Sequence, residues 1–530
     1  MFFEALLVSL IVWIGFLDKA FLHTFIYRPI CIGPLVGLVF HNVPMGLEVG
    51  VTIELMFLAV VFVGTAVPPD EVVSAGIATA LACLSGSAEL GITTAIPISL
   101  IGLIGRQFRN ATIQEFTTRQ VERAARKAST RGIIIWTSLM PAIFNYVLFG
   151  LPTFVAVYFG ADAVQGFLDV IPTWLTDGVR AGGGMLGAVG VALLLGTIQN
   201  KRSWPYFALG FVIASYLGIN MIGMAVIAVI CVALNFYGEH KEGNIQEADA
   251  MAFESSIINE THLSKKTLWK TYMYSLAIES GCSNTKQEAP GICQGMIPVI
   301  ESVYTTPQEK AEAYERHTQL FLTEGRMASF CIGVSAAMEE RNAKHHDIDP
   351  ESINQIKVAL MGPLAGIGDS LIHGTLRPIM AGLGCSMIMA SNYTSVTGTL
   401  VFLITMAVVE FAVRYFGIFK GYQGGLNLVV KLQQGGILDK ITKYAGIAAA
   451  LVCGGFISSL VTINLAISFQ AGEEVIQLQE VLDSLMPNVL PLLLTMLMVW
   501  LMSKRKMNMI ILMIAVFLLG ILGVACGVLA

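Results

Sequence analysis

Residues 72–105 read VVSAGIATALACLSGSAELGITTAIPISLIGLIG, an apolar stretch with a polar interruption, SGSAELG, and a proline at position 97. A membrane-spanning helix needs about 20 apolar residues, so this stretch is too long for one simple span. The interruption and the proline also disfavour an unbroken helix. We therefore expect broken or half-length helices here, which membranes tolerate where the backbone is buried in protein or lines a cavity.

The composition of the whole chain agrees with a membrane protein. Its 530 residues are 55% hydrophobic and 13% charged, whereas soluble domains carry roughly 25% charged residues. The apolar stretches leave room for roughly a dozen spans of about 20 residues. We predict an all-α, multi-pass membrane protein with two helical membrane units, broken or re-entrant helices and interfacial amphipathic helices.

Charge and cysteine content exclude several other classes. A net charge of −5 argues against a nucleic-acid partner. The nine cysteines have no C-x-x-C spacing, so we expect neither a metal nor a redox site. The sequence contains no catalytic triad or nucleotide-binding loop, and we expect no cofactor and no catalytic residue.

A polar segment divides the chain. Residues 239–267 contain six acidic residues and no apolar run. We predict a membrane domain at 1–238, a cytoplasmic linker at 239–265, and a second domain at 266–530. The second domain begins with cytoplasmic or interfacial helices to about residue 355, one of which starts with a capping box at Thr306, and continues with membrane segments.

A basic segment lies within the first domain. Residues 106–131 contain seven basic and two acidic residues, with apolar residues at roughly helical spacing. The excess of positive charge favours the cytoplasmic side. We predict an amphipathic helix on that face, with a solvated loop as the alternative.

The first candidate substrate site lies in residues 51–74. Glu54 sits in an apolar segment, where a carboxylate is costly and therefore suggests a function. Asp70 follows two prolines, which predicts an extended segment over 64–70 with free backbone polar groups. We expect Glu54, Thr65 and Asp70 to bind a polar substrate such as a sugar, whose hydroxyls need donors and acceptors. The alternative for Asp70 is a helix cap at Glu71.

The second candidate lies in residues 358–380, where glycines and a proline interrupt the helical pattern. Asp369, His373 and Arg377 follow at four-residue intervals on one helix face. They predict either a polar ligand site, with Asp369 and less strongly His373 contacting substrate, or a structural pair of Asp369 with Arg377.

Other charged residues in apolar surroundings are expected to pair. Asp18 and Lys19 flank the first break together with Arg28 and predict a local ion pair, with a weaker prediction that Asp18 and Lys19 contact substrate. Glu410 and Arg414, four residues apart, predict an intramembrane pair.

These motifs together resemble a known family. In the first domain they are Leu17-Asp18, Arg28-Pro29, Thr52-Ile53-Glu54, GTAVPPD at 64–70 and the glycine-rich 177–187. In the second they are Arg316-His317, Gly333-Val334, Glu339-Glu340, Ile356-Lys357-Val358, MGPLAGIGD at 361–369, GTLRP at 374–378 and LPLLLT at 490–495. The chain resembles a natural fusion of the IIC and IID subunits of the mannose-fructose-sorbose family of bacterial phosphotransferase-system (PTS) permeases.

The resemblance implies a function. Such a permease lies in the bacterial inner (cytoplasmic) membrane, forms a homotrimer, binds an extracellular sugar and moves it across the membrane. Separate cytoplasmic IIA and IIB phosphocarrier proteins then phosphorylate the sugar, so the phosphoryl-transfer residues are not expected on this chain. The alternative is an ion-coupled secondary transporter of a polar solute, in which Glu54, Asp70 and Asp369 would bind protons or cations.

Overall fold

The computed structural model describes residues 1–58, 70–168, 174, 177–178, 181–182, 185, 187–197, 203–219, 221–239, 263–283, 285–346, 350–434, 437–471, 474–507 and 509–529. Thr65, the extended segment expected at 64–69 and most of the expected linker lie outside these residues. The described chain is mainly helical, which confirms the all-α class.

The helices of the first domain are short. They are α1 (Phe2–Ala20), α2 (Pro29–Val39), α3 (Val43–Met56), α4 (Glu71–Ser85), α5 (Ala88–Phe108), α6 (Gln114–Arg126), α7 (Thr130–Ile134), α8 (Met140–Asn145), α9 (Leu151–Leu168), α10 (Gly187–Thr197), α11 (Trp204–Leu217) and α12 (Met221–Glu239). Single π-helical turns connect α5 to α6, α7 to α8, and α8 to α9.

The second domain begins with polar helices and continues with apolar ones. They are α13 (Lys265–Ser275), α14 (Ala289–Val303), α15 (Pro307–His317), α16 (Ala328–His345), α17 (Pro350–Gly368), α18 (Arg377–Ala390), α19 (Thr397–Gln434), α20 (Ile437–Leu460), α21 (Leu478–Leu485), α22 (Val489–Arg505) and α23 (Met509–Ala525). The antiparallel strands β1 (Ser468–Ala471) and β2 (Glu474–Gln477) interrupt them, with Ser468 opposite Gln477.

The break in the opening stretch occurs where the sequence predicts it. Helix α4 ends before Gly86, whose φ of +71° is a conformation that glycine adopts without strain. Ser87 then caps α5 by accepting a hydrogen bond from the backbone N–H of Leu90. Proline 97 does not break α5, which continues to Phe108.

Two half-length helices pack closely after the first break. Asn42 caps α3 by accepting from the N–H of Met45, at 3.2 Å. Gly50 on α3 faces α2 so closely that a Cβ would lie 2.8 Å from the carbonyl oxygen of Pro29. This contact holds α2 and α3 together and places Arg28 and Glu54 side by side.

The basic segment forms a helix, as predicted, and continues α5 through the π-helical turn Arg109–Ile113. The chain turns at Ala128, which has a φ of +48°. It then returns along α7, which Ser129 caps by accepting from the N–H of Gly132. The segment is therefore one arm of a helical hairpin, and its cytoplasmic location remains a prediction.

Two helical stretches among the described residues are long and apolar enough to cross a membrane, Thr130–Gly160 and Thr397–Gly424. Helices α21 and α22, bent by 78°, could together form a third crossing. Shorter apolar helices include α2, α4 and α11. Residues 445–469 do not form one continuous helix, because α20 ends at Leu460 and a strand begins at Ser468.

The polar helices of the second domain enclose a buried histidine. Thr306 and Glu309 form the predicted capping box at the start of α15. At the end of that helix, His317 is fully buried and its Nε2 lies 2.9 Å from Glu339 Oε1. Burial lowers the pKa of His317 to about 4, so the ring is neutral at pH 7 and donates a hydrogen bond to Glu339.

This histidine should make stability depend on pH. As the pH falls from 6.5 towards 4.5, the unfolded chain binds a proton at His317 that the folded chain does not, so stability should fall by about 2 kcal/mol. His317→Gln keeps a donor near Glu339 and should show a shallower fall in thermal unfolding experiments in detergent. Replacing the exposed His41 by glutamine serves as the control. Equal pH profiles for the wild type and His317→Gln would contradict this assignment.

Candidate functional site

Glu54 lies in a buried ion pair within the first domain. The guanidinium of Arg28 contacts both of its carboxylate oxygens, with Arg28 Nε 3.0 Å from Glu54 Oε1. Arg28 Nη2 also donates to the carbonyl oxygen of Phe57, at 3.0 Å. Both side chains are almost completely inaccessible to solvent. The pair therefore fixes the backbone where α3 ends.

Asp70 has the helix-capping role that the alternative interpretation predicted. Its Oδ1 accepts from the N–H groups of Val72 and Val73, at 3.0 and 2.9 Å. Its Oδ2 lies 3.0 Å from Nε of Arg106 on α5. A cap alone does not require a buried cation, so Asp70 also joins α4 to α5.

A second pair lies beside it. Lys19 Nζ on α1 is 2.6 Å from Glu71 Oε1, and Arg106 Nη2 is 3.7 Å from Glu71 Oε2. The predicted local ion pair of Asp18 and Lys19 with Arg28 is wrong, because each residue binds elsewhere. Asp18 accepts from the backbone N–H groups of Thr24 and Ile26, at 3.0 and 2.9 Å, which shapes the turn after α1.

That turn meets the second domain at Arg326. Its Nη1 is 2.5 Å from Glu324 Oε1 and its Nε is 2.7 Å from Glu410 Oε2. Across the domain boundary, Arg326 Nη2 donates to the carbonyl oxygen of His23 and the guanidinium stacks over the ring of Phe25, 4.7 Å from its centroid. Arg326 thus links both domains from a fully buried position.

Glu410 and Arg414 form an ion pair, with Arg414 Nη2 2.6 Å from Glu410 Oε1. Arg414 Nη1 also donates to the carbonyl oxygen of Ser275, at 2.6 Å. The predicted pair of Asp369 with Arg377 does not form within 4 Å; Arg377 Nη2 instead lies 3.4 Å from the carbonyl oxygen of Leu58. Residues Asp369–Leu376 form a π-helical segment, so the α-helical spacing on which this pair was predicted does not hold there.

Carboxylates gather near the same domain boundary. Glu279, Glu288, Glu324 and Asp369 lie close enough to interact electrostatically. His23 Nε2 is 3.1 Å from Glu279 Oε2, and His373 Nε2 is 3.5 Å from Glu324 Oε1. Asp369 is exposed, and within the described part of the chain no cation lies within 4 Å of its carboxylate. This group can offer both acceptors and donors to a polyhydroxylated ligand.

The sequence reasoning missed four members of this group, Glu279, Glu288, Glu324 and His23, and also missed Arg326 beside it. A charged residue between apolar neighbours was the available signal for Arg326, which lies in GRMASF. His23 and Phe25 have positive φ, which is uncommon for these residue types and marks a turn held by its surroundings.

The arrangement defines a class of protein: a multi-pass membrane protein with a polar, carboxylate-rich site between two helical domains. Residues 2–234 match the family described as the PTS system sorbose-specific IIC component. Residues 262–529 match the PTS system mannose/fructose/sorbose family IID component.

Curated relatives match the two halves separately. Over 277 residues the chain is 36% identical to the PTS system mannose-specific EIID component of Escherichia coli (strain K12), covering 51% of this chain and 96% of that protein. It is 34% identical to the fructose permease IID component of Bacillus subtilis (strain 168), with 51% and 99% covered. It is 29% identical to the fructose permease IIC component of Bacillus subtilis, with 44% and 86% covered.

Two solved structures also match, each covering 51% of this chain and the whole of the other. One is described as a membrane protein, with a TM-score of 0.48 and 33% identity. The other is the mannose transporter ManYZ in complex with microcin E492, with a TM-score of 0.30 and 34% identity.

The chain belongs to the mannose/fructose/sorbose family of PTS permeases. It joins a IIC part and a IID part in one polypeptide and is a membrane component of PTS sugar transport. The relatives do not favour an ion-coupled secondary transporter.

Proposed function

We propose that this permease binds an extracellular sugar between its IIC and IID parts, beside Asp369, and carries it across the bacterial inner membrane for phosphorylation. The observation that carries the proposal is the exposed carboxylate of Asp369 at the boundary between the two parts. Glu279, also partly exposed, and His373 lie near it and supply further polar contacts. A charged carboxylate accepts strong hydrogen bonds from sugar hydroxyls.

The remaining candidates have a positioning role in this proposal. Glu54 and Arg28 hold the carbonyl of Phe57, while Asp70 is fixed by Arg106. They anchor the two ends of the segment that contains Thr65, which we propose as a further sugar contact. Asp18 shapes the turn after α1, and Lys19 joins α1 to α4 through Glu71.

The family supplies the partners of the proposal. Separate IIA and IIB phosphocarrier proteins would provide the phosphoryl group, so this chain would bind and translocate the sugar without transferring phosphate itself. We also propose a homotrimer, which mass measurement in detergent would test.

Asp369→Asn should weaken sugar binding. Loss of a charge-assisted hydrogen bond costs about 1.5 to 3 kcal/mol, or roughly 10- to 150-fold in affinity. The measurement is phosphoenolpyruvate-dependent sugar phosphorylation by vesicles supplied with IIA and IIB, with mannose, fructose and sorbose as substrates. Glu312→Gln, on the exposed face of α15, is the control and should behave like the wild type.

The same vesicles test the function itself. Uptake that proceeds without phosphoenolpyruvate, follows a proton gradient and leaves the sugar unmodified would refute the PTS mechanism. Normal phosphorylation kinetics in Asp369→Asn would instead refute only the location of the sugar site.

A further inference from the structure

The helical hairpin of the first domain has its two arms in close contact. A Cβ on Gly132 would lie 2.8 Å from the Cβ of Ala124, and the rings of Phe116 and Trp136 meet edge to face at 5.6 Å. The returning arm is the membrane-crossing stretch Thr130–Gly160. Aromatic residues near the end of a span are typical of the membrane–water interface. The Phe116–Trp136 pair therefore indicates where the hairpin leaves the hydrocarbon region.

The acidic residues of the outgoing arm contact the IID part. Glu115 accepts from the N–H and hydroxyl of Thr285, both at 2.8 Å, and Glu122 lies 3.4 Å from Lys286 Nζ. Arg126 also contacts this part, through Glu315. Arg119 and Arg123 lie beside these acidic residues on the same helix and are exposed. Glu115 and Glu122 contact the IID part, and among the described residues neither lies within 4 Å of the guanidinium of Arg119 or Arg123.

Arg131 adds a third exposed guanidinium at the start of the returning arm. In the part of the chain that the structure describes, neither Arg119 nor Arg131 has a carboxylate within 4 Å. Arg119 and Arg123 are one turn apart on α6, and Arg131 follows the turn that brings the second arm against the first. The three side chains lie at the same end of the hairpin.

An apolar stripe continues from these arginines along the span. Ile135, Leu139 and Ile143 follow Arg131 at four-residue intervals and are 38%, 51% and 45% exposed. Ile135 and Leu139 are the two ends of one π-helical turn, in which residues four apart lie near the same side of the helix. The surface therefore changes from basic to apolar along the hairpin. This order matches a phospholipid, whose anionic headgroup is followed by apolar acyl chains.

We propose that this surface binds an anionic phospholipid: Arg119, Arg123 and Arg131 contact the headgroup phosphate, and the acyl chains lie along Ile135 and Leu139. Guanidinium groups suit this role because their planar donors bind phosphate oxygens in pairs. The bound lipid would fix the depth of the hairpin beside the residues of α6 that contact the IID part.

The test uses the full chain reconstituted in vesicles of phosphatidylcholine with or without phosphatidylglycerol. Native mass spectrometry after extraction measures phosphatidylglycerol retained by each protein molecule. The triple variant Arg119→Gln, Arg123→Gln and Arg131→Gln should lose affinity by roughly fivefold for each arginine removed. The control, Lys504→Gln with Arg505→Gln and Lys506→Gln, removes the same charge from another exposed cluster.

The expected result is retention of phosphatidylglycerol by the wild type and the control, with loss in the arginine triple variant. Leu139→Asn should also weaken retention, because it disrupts the acyl-chain surface. Equal losses in both triple variants would indicate general charge attraction and overturn the site. Normal lipid retention in the arginine variant, combined with lost response to a soluble phosphocarrier protein, would assign this face to a protein partner and also overturn it.

Discussion

Arg326→Met should destabilise the chain by about 3 to 5 kcal/mol, the usual cost of removing one partner from a buried ion pair. The substitution leaves the carboxylates of Glu324 and Glu410 without their shared cation. It also removes the hydrogen bond to His23 and the stacking on Phe25 that join the two parts. Thermal unfolding in detergent and the yield of folded protein measure the effect.

A matched control is Arg126→Met. Arg126 Nε lies 3.2 Å from Glu315 Oε1, but both side chains are largely exposed. Such a pair contributes only about 0 to 1 kcal/mol. If the two methionine variants unfold alike, Arg326 is not the central cation of the domain boundary.

Glu54→Gln should also cost about 3 to 5 kcal/mol, because it leaves the buried charge of Arg28 unpaired. The double variant Glu54→Leu with Arg28→Met removes both charges and should recover much of that loss. Glu315→Gln, at the exposed pair described above, is the control for a lost carboxylate.

Measuring sugar binding together with stability distinguishes a positioning role of Glu54 from direct contact with the sugar. A positioning residue should lose stability and sugar affinity together in Glu54→Gln, with stability restored in the double variant. A direct sugar ligand would show unchanged unfolding and a selective loss of binding, and that result would reject the assignment made from the structure.

Local features could be predicted from the sequence because their signals lie within one helical turn. The break at Gly86, the cap at Asp70 and the capping box at Thr306 all depend on neighbouring residues. The four-residue spacing of Glu410 and Arg414 belongs to the same kind of pattern.

The ion-pair partners could not be predicted in this way. Lys19 and Glu71 are 52 positions apart, and Arg28 and Glu54 are 26 apart. A charged residue in an apolar segment can be recognised from the sequence as unusual. Which of several oppositely charged residues it pairs with depends on how the helices pack, and the sequence does not show this. For the same reason, Arg326 could not be placed against the turn at His23 before the fold was known.

The charge pairing has a consequence for biogenesis. Among the described residues, the buried ion pairs centred on Glu54, Asp70 and Glu71 are complete within the IIC part, and those of Glu324 and Glu410 are complete within the IID part. Arg326 reaches the other part through a backbone carbonyl and an aromatic ring. The pairs of these five carboxylates therefore form without residues of the other half, whereas His23 with Glu279 and Arg377 with the carbonyl of Leu58 need both halves. We expect two polypeptides encoded by a gene cut between the halves to insert with these five carboxylates already paired and to complete the remaining contacts when they associate.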